Sequence, residues 1–171
     1  MVRTVQPERS CEYILLGITG HQEREGIEWP WVADAIRREL ARVENVQKAL
    51  SSLAAGSDQV FAEVALGLGI QLVAVVPLDR YERFFQKGSL ANYQRLLDAS
   101  EVVQLGWRGE PELAFFEAGK FIVENCDELF AVWDGQSAEG LGGTGDVVTY
   151  AQRVGRPILH INPCTETVAR I

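Results

Sequence analysis

Residues 129–151 read LFAVWDGQSAEGLGGTGDVVTYA, and this stretch decides the fold. Its first five residues are apolar and predict a short buried strand, which Asp134 and the glycine after it end. The loop that follows contains four glycines, including Gly142 and Gly143, so its backbone can adopt positive φ and approach a ligand closely. Thr144 is a candidate N-cap for the helix that the spacing of the next apolar residues predicts.

A helix that begins directly after a glycine-rich loop predicts an anion site. Its first backbone N–H groups have no partner inside the helix, and the helix dipole adds about half a positive charge at this end. Phosphate is a frequent ligand of such helix ends. We therefore expect a phosphate at Gly142, Gly143 and Thr144, although a tight turn with a helix cap uses the same residues.

Composition narrows the classes of partner. The chain has 171 residues, which predicts one domain over 1–171, and 16 Lys and Arg against 24 Asp and Glu give a net charge of −8. That charge repels nucleic acid polymers but leaves a small anionic ligand possible. The three cysteines, Cys11, Cys126 and Cys164, show no CxxC spacing. This predicts reduced thiols and therefore a cytoplasmic protein. No metal ion, cofactor or membrane span is expected, because His21 and His160 are the two histidines and apolar runs are short.

Strand and helix patterns alternate along the chain. Apolar runs predict strands at 13–18, 46–53, 70–76, 102–105, 129–133 and 157–161, with helical spacing between most of them. This order predicts an α/β fold, a Rossmann-like three-layer αβα sandwich with a mostly parallel sheet of about six strands. Pro77 is expected to end the third strand, and Ser57 or Asp58 is expected to cap the helix after the second.

Small-residue turns follow three of these strands, at 17–22, 54–58 and 134–145. In open α/β sheets the ligand lies beyond the carboxyl ends of the strands, where the connectivity reverses. The three turns therefore form one crevice if the first, second and fifth strands are neighbours. The turn after Pro77 is of a different kind, with Tyr81, Phe84 and Phe85 in it, and contributes at most a wall.

Three motifs together resemble one known family. GITGHQ at 17–22, SSLAAGSDQVFAEVAL at 51–66 and AVWDG…GLGGTGDVVTYAQRVGRPI at 131–158 are similar to the SLOG superfamily, the Rossmann-like group that includes the Lonely Guy phosphoribohydrolases and the DNA-processing protein family. The resemblance implies binding of a nucleotide or nucleotide-derived ligand, such as an NAD-derived signal. It also makes a homodimer or higher homo-oligomer an expectation. The ligand-binding residues that it implies are Thr19, Gly20, His21, Gly56, Ser57, Asp58, Gly142, Gly143 and Thr144.

Departures from the motifs of the family's hydrolytic members favour ligand binding over catalytic turnover. Hydrolytic members of the family carry GGxGT followed by a glutamate, whereas Leu141 and Asp146 occupy the corresponding positions here. The helix predicted at 111–126 also has no MxxRK-like segment, which carries the catalytic arginine in those members. Our leading interpretation is therefore a protein that binds or senses an adenine nucleotide or an ADP-ribose-type ligand.

An enzyme acting on an N-glycosidic bond is the alternative. Asp134, Gly143-Thr144 and Asp146, with Gly-Arg-Pro at 155–157, also resemble nucleoside 2-deoxyribosyltransferases. In such an enzyme a carboxylate attacks or stabilises the anomeric carbon. Asp134 and Asp146 are the main catalytic candidates, beside Glu23 and Asp58. Without catalysis, Asp134 is a candidate to hold ribose hydroxyls or simply to form a turn, and Asp146 to complement the helix dipole. A purely structural partner domain is a third interpretation.

Overall fold

The computed structural model describes residues 13–23, 25–138 and 140–171, and Cys11 lies outside them. Strands and helices alternate over these residues as the sequence predicts. The strands are β1 (Ile14–Gly20), β2 (Val46–Ser51), β3 (Gln71–Leu78), β4 (Ser100–Trp107), β5 (Glu128–Val132), β6 (Ile158–Asn162) and β7 (Thr167–Arg170). The helices are α1 (Trp29–Arg42), α2 (Ser57–Gly67), α3 (Lys87–Asp98), α4 (Pro111–Asn125) and α5 (Thr144–Arg153), with a 3₁₀ turn at Tyr81–Phe84. None of these helices has the length and apolar content needed to cross a membrane.

The sheet has the strand order β4-β3-β2-β1-β5-β6-β7. The first six strands are parallel, and β7 pairs antiparallel with β6. The chain builds outward from β1 to β4, then crosses to the other side of β1 to form β5. β1 therefore lies between β2 and β5, at the point where the connectivity reverses.

Helices cover both faces of the sheet, which explains the continuous apolar runs. In β5, Phe130 and Val132 join the core formed with α1, α2 and α3, whereas Leu129 and Ala131 join the core formed with α4 and α5. A strand buried on both faces needs apolar residues at successive positions. The predicted three-layer α/β sandwich is thereby confirmed.

Two strand predictions need correction. Pro77 does not end the third strand, because β3 continues to Leu78. The pairing of β3 with β4 shifts register between Val76 and Leu78, and such an irregularity accommodates a residue that cannot donate a backbone hydrogen bond. The sheet also has a seventh strand, β7, which is short and mostly exposed and so has no apolar pattern to predict it.

Candidate functional site

A crevice of about 510 Å³ lies at the carboxyl ends of the central strands. Its volume is within the range of about 300–1,000 Å³ that is usual for small-molecule sites. The turns after β1, β2 and β5 all contribute to it, so the predicted convergence of these three turns occurs. Most of the predicted site residues line the crevice: Thr19, Gly20, His21, Asp58, Asp134, Gly142, Gly143 and Thr144. Three others, Gly56, Ser57 and Asp146, are not among the lining residues described.

The glycine-rich loop leads directly into α5. Gly143 is the N-cap and Thr144 is the first helical residue, so the prediction that Thr144 is the cap is wrong. Gly142 has φ +83°, and a Cβ atom there would lie 2.5 Å from the carbonyl oxygen of Glu112 on α4. Only glycine fits this position. The loop therefore packs against α4 while its amides and the N-terminus of α5 border the crevice.

Asp146 holds this loop from within the helix. Its Oδ2 accepts a hydrogen bond of 2.9 Å from the backbone N–H of Gly142. A carboxylate in the first turn of a helix is also stabilised by the helix dipole. Both observations give Asp146 a structural role in shaping the loop.

His21 connects the turn after β1 with the turn after β5. The backbone N–H of Asp134 donates to Nε2 of His21 at 3.0 Å, and the same nitrogen lies 3.3 Å from Oδ1 of Asp134. Nε2 of His21 therefore lies within polar contact of both the backbone N–H and the carboxylate of Asp134.

The turn after β2 packs directly under the turn after β1. Gly56 has φ +93°, and a Cβ atom there would lie 2.5 Å from the backbone nitrogen of Glu23. The fully buried Ser57 donates from its hydroxyl to the carbonyl oxygen of His21 at 2.7 Å, and from its backbone N–H at 3.1 Å. Gly56 and Ser57 therefore position His21.

Asp58 presents a buried carboxyl group to the crevice. It accepts hydrogen bonds from the backbone N–H of Ser52 at 3.0 Å and from the hydroxyl of Ser51 at 3.3 Å. Burial raises its pKa from 3.8 to about 7, although these hydrogen bonds oppose the shift. Gly56, and neither Ser57 nor Asp58, is the N-cap of α2, so the predicted cap is wrong. The carboxyl group instead fixes the end of β2.

Asp134 forms a compact turn at the mouth of the crevice. Its Oδ1 accepts from the backbone N–H of Gln136 at 3.0 Å, and the indole N–H of Trp133 donates to the carbonyl oxygen of Gln136 at 2.7 Å. Nε2 of His160 hydrogen-bonds the carbonyl oxygen of Trp133 at 2.7 Å. Asp134 thus combines a turn-forming role with a place in the crevice wall.

Aromatic residues form one wall of the crevice, in part from the turn after Pro77 for which the sequence allowed this role. The wall consists of Tyr81, Phe84, Phe85 and Phe115, and all four line the crevice. The cluster YERFF directly after β3 was its signal, because β3 ends beside β2 at the same edge of the sheet. Phe115 comes from α4 and had no such signal. The turn after Pro77 therefore contributes a wall to the crevice, as the sequence allowed.

The crevice has acidic but no basic side chains in the part that the structure describes. Among those lining residues the carboxyl groups are Asp58 and Asp134, with no lysine or arginine. Backbone amides and the α5 dipole are therefore the positive features that these residues offer to an anion. Over the same described ranges, no three His, Cys, Asp or Glu side chains are grouped as metal ligands would be.

Comparison with solved structures identifies the fold. DNA processing protein A (DprA) from Streptococcus pneumoniae superposes with a TM-score of 0.63 at 18% identity, over 88% of this chain and 50% of that one. The Moco carrier protein from Chlamydomonas reinhardtii gives 0.56 at 14% identity, over 86% and 75%. The structural-genomics target TM1055 gives 0.55 at 14% identity, over 85% and 72%.

The chain shares the fold of these three structures, all of which belong to the SLOG superfamily. The resemblance seen in the sequence motifs is thereby confirmed at the level of the fold. The chain spans about half the length of DprA. No family model and no curated protein matches the sequence. For the residues of the three sequence motifs, the contacts described above are therefore the basis of the roles proposed below.

Proposed function

We propose that this SLOG-fold chain binds a nucleotide or nucleotide-derived ligand in the crevice, with a phosphate on the amides at the start of α5. One observation carries the proposal: the glycine-rich loop and the N-terminus of α5 border the same crevice as the turns after β1 and β2. This is the switch point of the sheet, where open α/β folds bind their ligands. Helix-end amides supply the attraction that a net charge of −8 does not.

The finer identity of the ligand comes from the resemblance to the SLOG superfamily. We favour an adenine nucleotide or an ADP-ribose or NAD-derived molecule, bound by a single nucleotide-binding domain over residues 1–171. The names of the Moco carrier protein and of DprA refer to a small cofactor and to DNA. A small ligand suits the crevice and the acidic chain better than a DNA polymer. A cytoplasmic location and a homo-oligomer stay predictions.

Thermal unfolding with added ligand tests the proposal. AMP, ADP-ribose and NAD are titrated separately against the full chain. A ligand present at about one hundred times its Kd stabilises the folded state by about 2.7 kcal/mol. No change in unfolding temperature with any of the three, at millimolar concentration, would count against the proposal.

Thr144→Pro tests the phosphate contact directly. Proline is favoured at the first helical position, and Gly143 has φ −71° and ψ 171°, which suits a residue before proline. This substitution removes one amide N–H from the crevice with little expected loss of stability. We expect Thr144→Pro to weaken ligand binding at least about tenfold, because a hydrogen bond to a charged group contributes about 1.5–3 kcal/mol. Thr144→Ala, which keeps the amide and removes the hydroxyl, is the matched control and should bind more tightly than Thr144→Pro.

A glycosidic-bond enzyme is the second candidate, because the Asp134 carboxylate lines the crevice. In that reaction the carboxylate attacks the anomeric carbon, the bond to the base nitrogen breaks, and the base leaves with the electron pair and gains a proton. Base release from nucleosides and nucleotides is measured for the wild type and for Asp134→Asn. Release by the wild type that is lost in the variant supports the enzyme, whereas absence of release with retained binding supports a binding protein.

A further inference from the structure

We infer that the aromatic wall of the crevice binds the base of the ligand, so that the site selects a planar nitrogen heterocycle joined to a phosphate. The inference rests on the proposed function. It assigns a binding role to Tyr81, Phe84, Phe85 and Phe115, which line the crevice. The phosphate would lie beside this wall, at the glycine-rich loop.

The rings of the wall are held in a fixed arrangement. Tyr81 is buried, and its ring centroid lies 4.9 Å from that of Phe85 and 6.0 Å from that of Phe115. Phe85 also stacks on Tyr93 at 4.4 Å, which anchors the wall to α3. Rigid rings lose little entropy when a flat ligand stacks on them, so this wall is prepared for a planar group.

Phe84 exposes its ring at the mouth of the crevice. It is 43% exposed, although its edge-to-face contact with Phe115 has a centroid distance of 5.2 Å. The guanidinium carbon of Arg83 lies 5.0 Å from the Phe84 ring centroid. Aromatic rings and arginine planes are the two kinds of surface on which proteins stack unpaired bases. A sugar or a second phosphate has no planar face to match.

Helix α4 connects the wall with the glycine-rich loop. Phe115 belongs to the wall, and Glu112, one turn earlier on the same helix, packs its carbonyl oxygen against Gly142. Helix α4 thus contacts both the wall and the glycine-rich loop, so the two surfaces that would bind the base and the phosphate are neighbours.

Comparison of AMP with ribose 5-phosphate tests the inference, since the two ligands share the phosphate and differ in the base. We expect the wild type to bind AMP at least tenfold more tightly. Phe84→Ala should reduce this ratio of Kd values about fivefold or more, in keeping with the loss of one stacking surface. Phe84→Trp, which provides a larger ring, should keep or increase the ratio.

Leu68→Ala is the matched control, because Leu68 is also 43% exposed and is not among the residues that line the crevice. It should leave the ratio as in the wild type. Equal affinity of the wild type for AMP and ribose 5-phosphate would overturn the inference and leave the proposed function standing. An unchanged ratio in Phe84→Ala would do the same. If neither ligand binds the wild type, the proposed function itself fails.

Discussion

The backbone N–H of Asp134 donates a hydrogen bond to Nε2 of His21 across 3.0 Å, joining the turns that follow two neighbouring strands. The two residues are 113 positions apart in sequence. The bond ties the turn after β1 to the turn after β5 at the crevice. His21 is therefore both a lining residue and a connection between the two turns.

His21→Ala should affect stability and ligand binding together. The substitution removes the acceptor for the Asp134 amide, and we expect a loss of about 1 kcal/mol or more in the free energy of unfolding. His160→Ala is the matched control, because His160 bonds the neighbouring carbonyl oxygen of Trp133 and is not among the described lining residues. Chemical denaturation should show comparable losses for both variants, whereas calorimetry should show weaker AMP binding for His21→Ala only. Equal binding by both variants would remove His21 from the ligand site.

The shape of the glycine-rich loop can be tested with two glycines that lie two positions apart. Gly142→Ala places a Cβ 2.5 Å from the carbonyl oxygen of Glu112 at φ +83°, and we expect it to cost at least about 1–2 kcal/mol of stability and to reduce ligand affinity. Gly140→Ala meets nothing within 4 Å and should change stability by no more than about 0.5 kcal/mol. Similar melting temperatures for the two variants would contradict the packing of this loop on α4.

The sequence predicted the features of this site that depend on local pattern. The run at 129–133 is apolar because β5 is buried on both faces, and the glycines of the loop stand where the backbone meets α4 and the crevice. The alternation of strands and helices predicted a mostly parallel sheet but not the order of its strands, which the structure shows to be β4-β3-β2-β1-β5-β6-β7. Because that order puts β1 between β2 and β5, the three small-residue turns meet.

Features that depend on distant contacts could not be predicted. Nothing in the sequence near Ser57 indicates that its hydroxyl bonds the carbonyl oxygen of His21, so the sequence predicted a ligand contact or a helix cap there instead. Phe115 belongs to the wall because its ring packs edge-to-face on that of Phe84, a contact between distant parts of the chain that no local pattern indicates. Short amphipathic segments such as β7 have too few buried residues to show a period.

The buried carboxyl group of Asp58 should make stability depend on pH. Its pKa rises from 3.8 to about 7 in the folded state, so between these values the folded chain holds a proton that the unfolded chain has lost. The contribution of Asp58 to stability is thus complete below pH 3.8 and is lost as the pH rises to 7, with a slope approaching about 1.4 kcal/mol per pH unit.

Asp58→Asn should remove this dependence, since the amide oxygen can still accept the Ser52 N–H. The measurement is the difference in unfolding free energy between the wild type and the variant from pH 4.5 to 8, and the variant should gain relative stability as the pH increases. Asp79→Asn, at an exposed position, controls for the loss of one carboxylate. A difference that does not change with pH would show that the Asp58 carboxyl group is ionised throughout this range.

Two substitutions of Asp146 separate a binding protein from an enzyme that uses this carboxylate. Its Oδ2 accepts the Gly142 N–H, and the oxygen of an asparagine side chain can accept the same bond. If Asp146 only shapes the loop, Asp146→Asn should bind AMP at least as tightly as the wild type, because it keeps the loop and removes a negative charge beside the phosphate. Asp146→Ala should lose about 1 kcal/mol of stability and bind more weakly.

If Asp146 is catalytic, the base release that the wild type shows should be absent in Asp146→Asn, while AMP binding persists. Calorimetry and a base-release assay on the same preparations decide the matter, and equal weakening of binding by both variants would contradict the structural role that the Gly142 contact indicates.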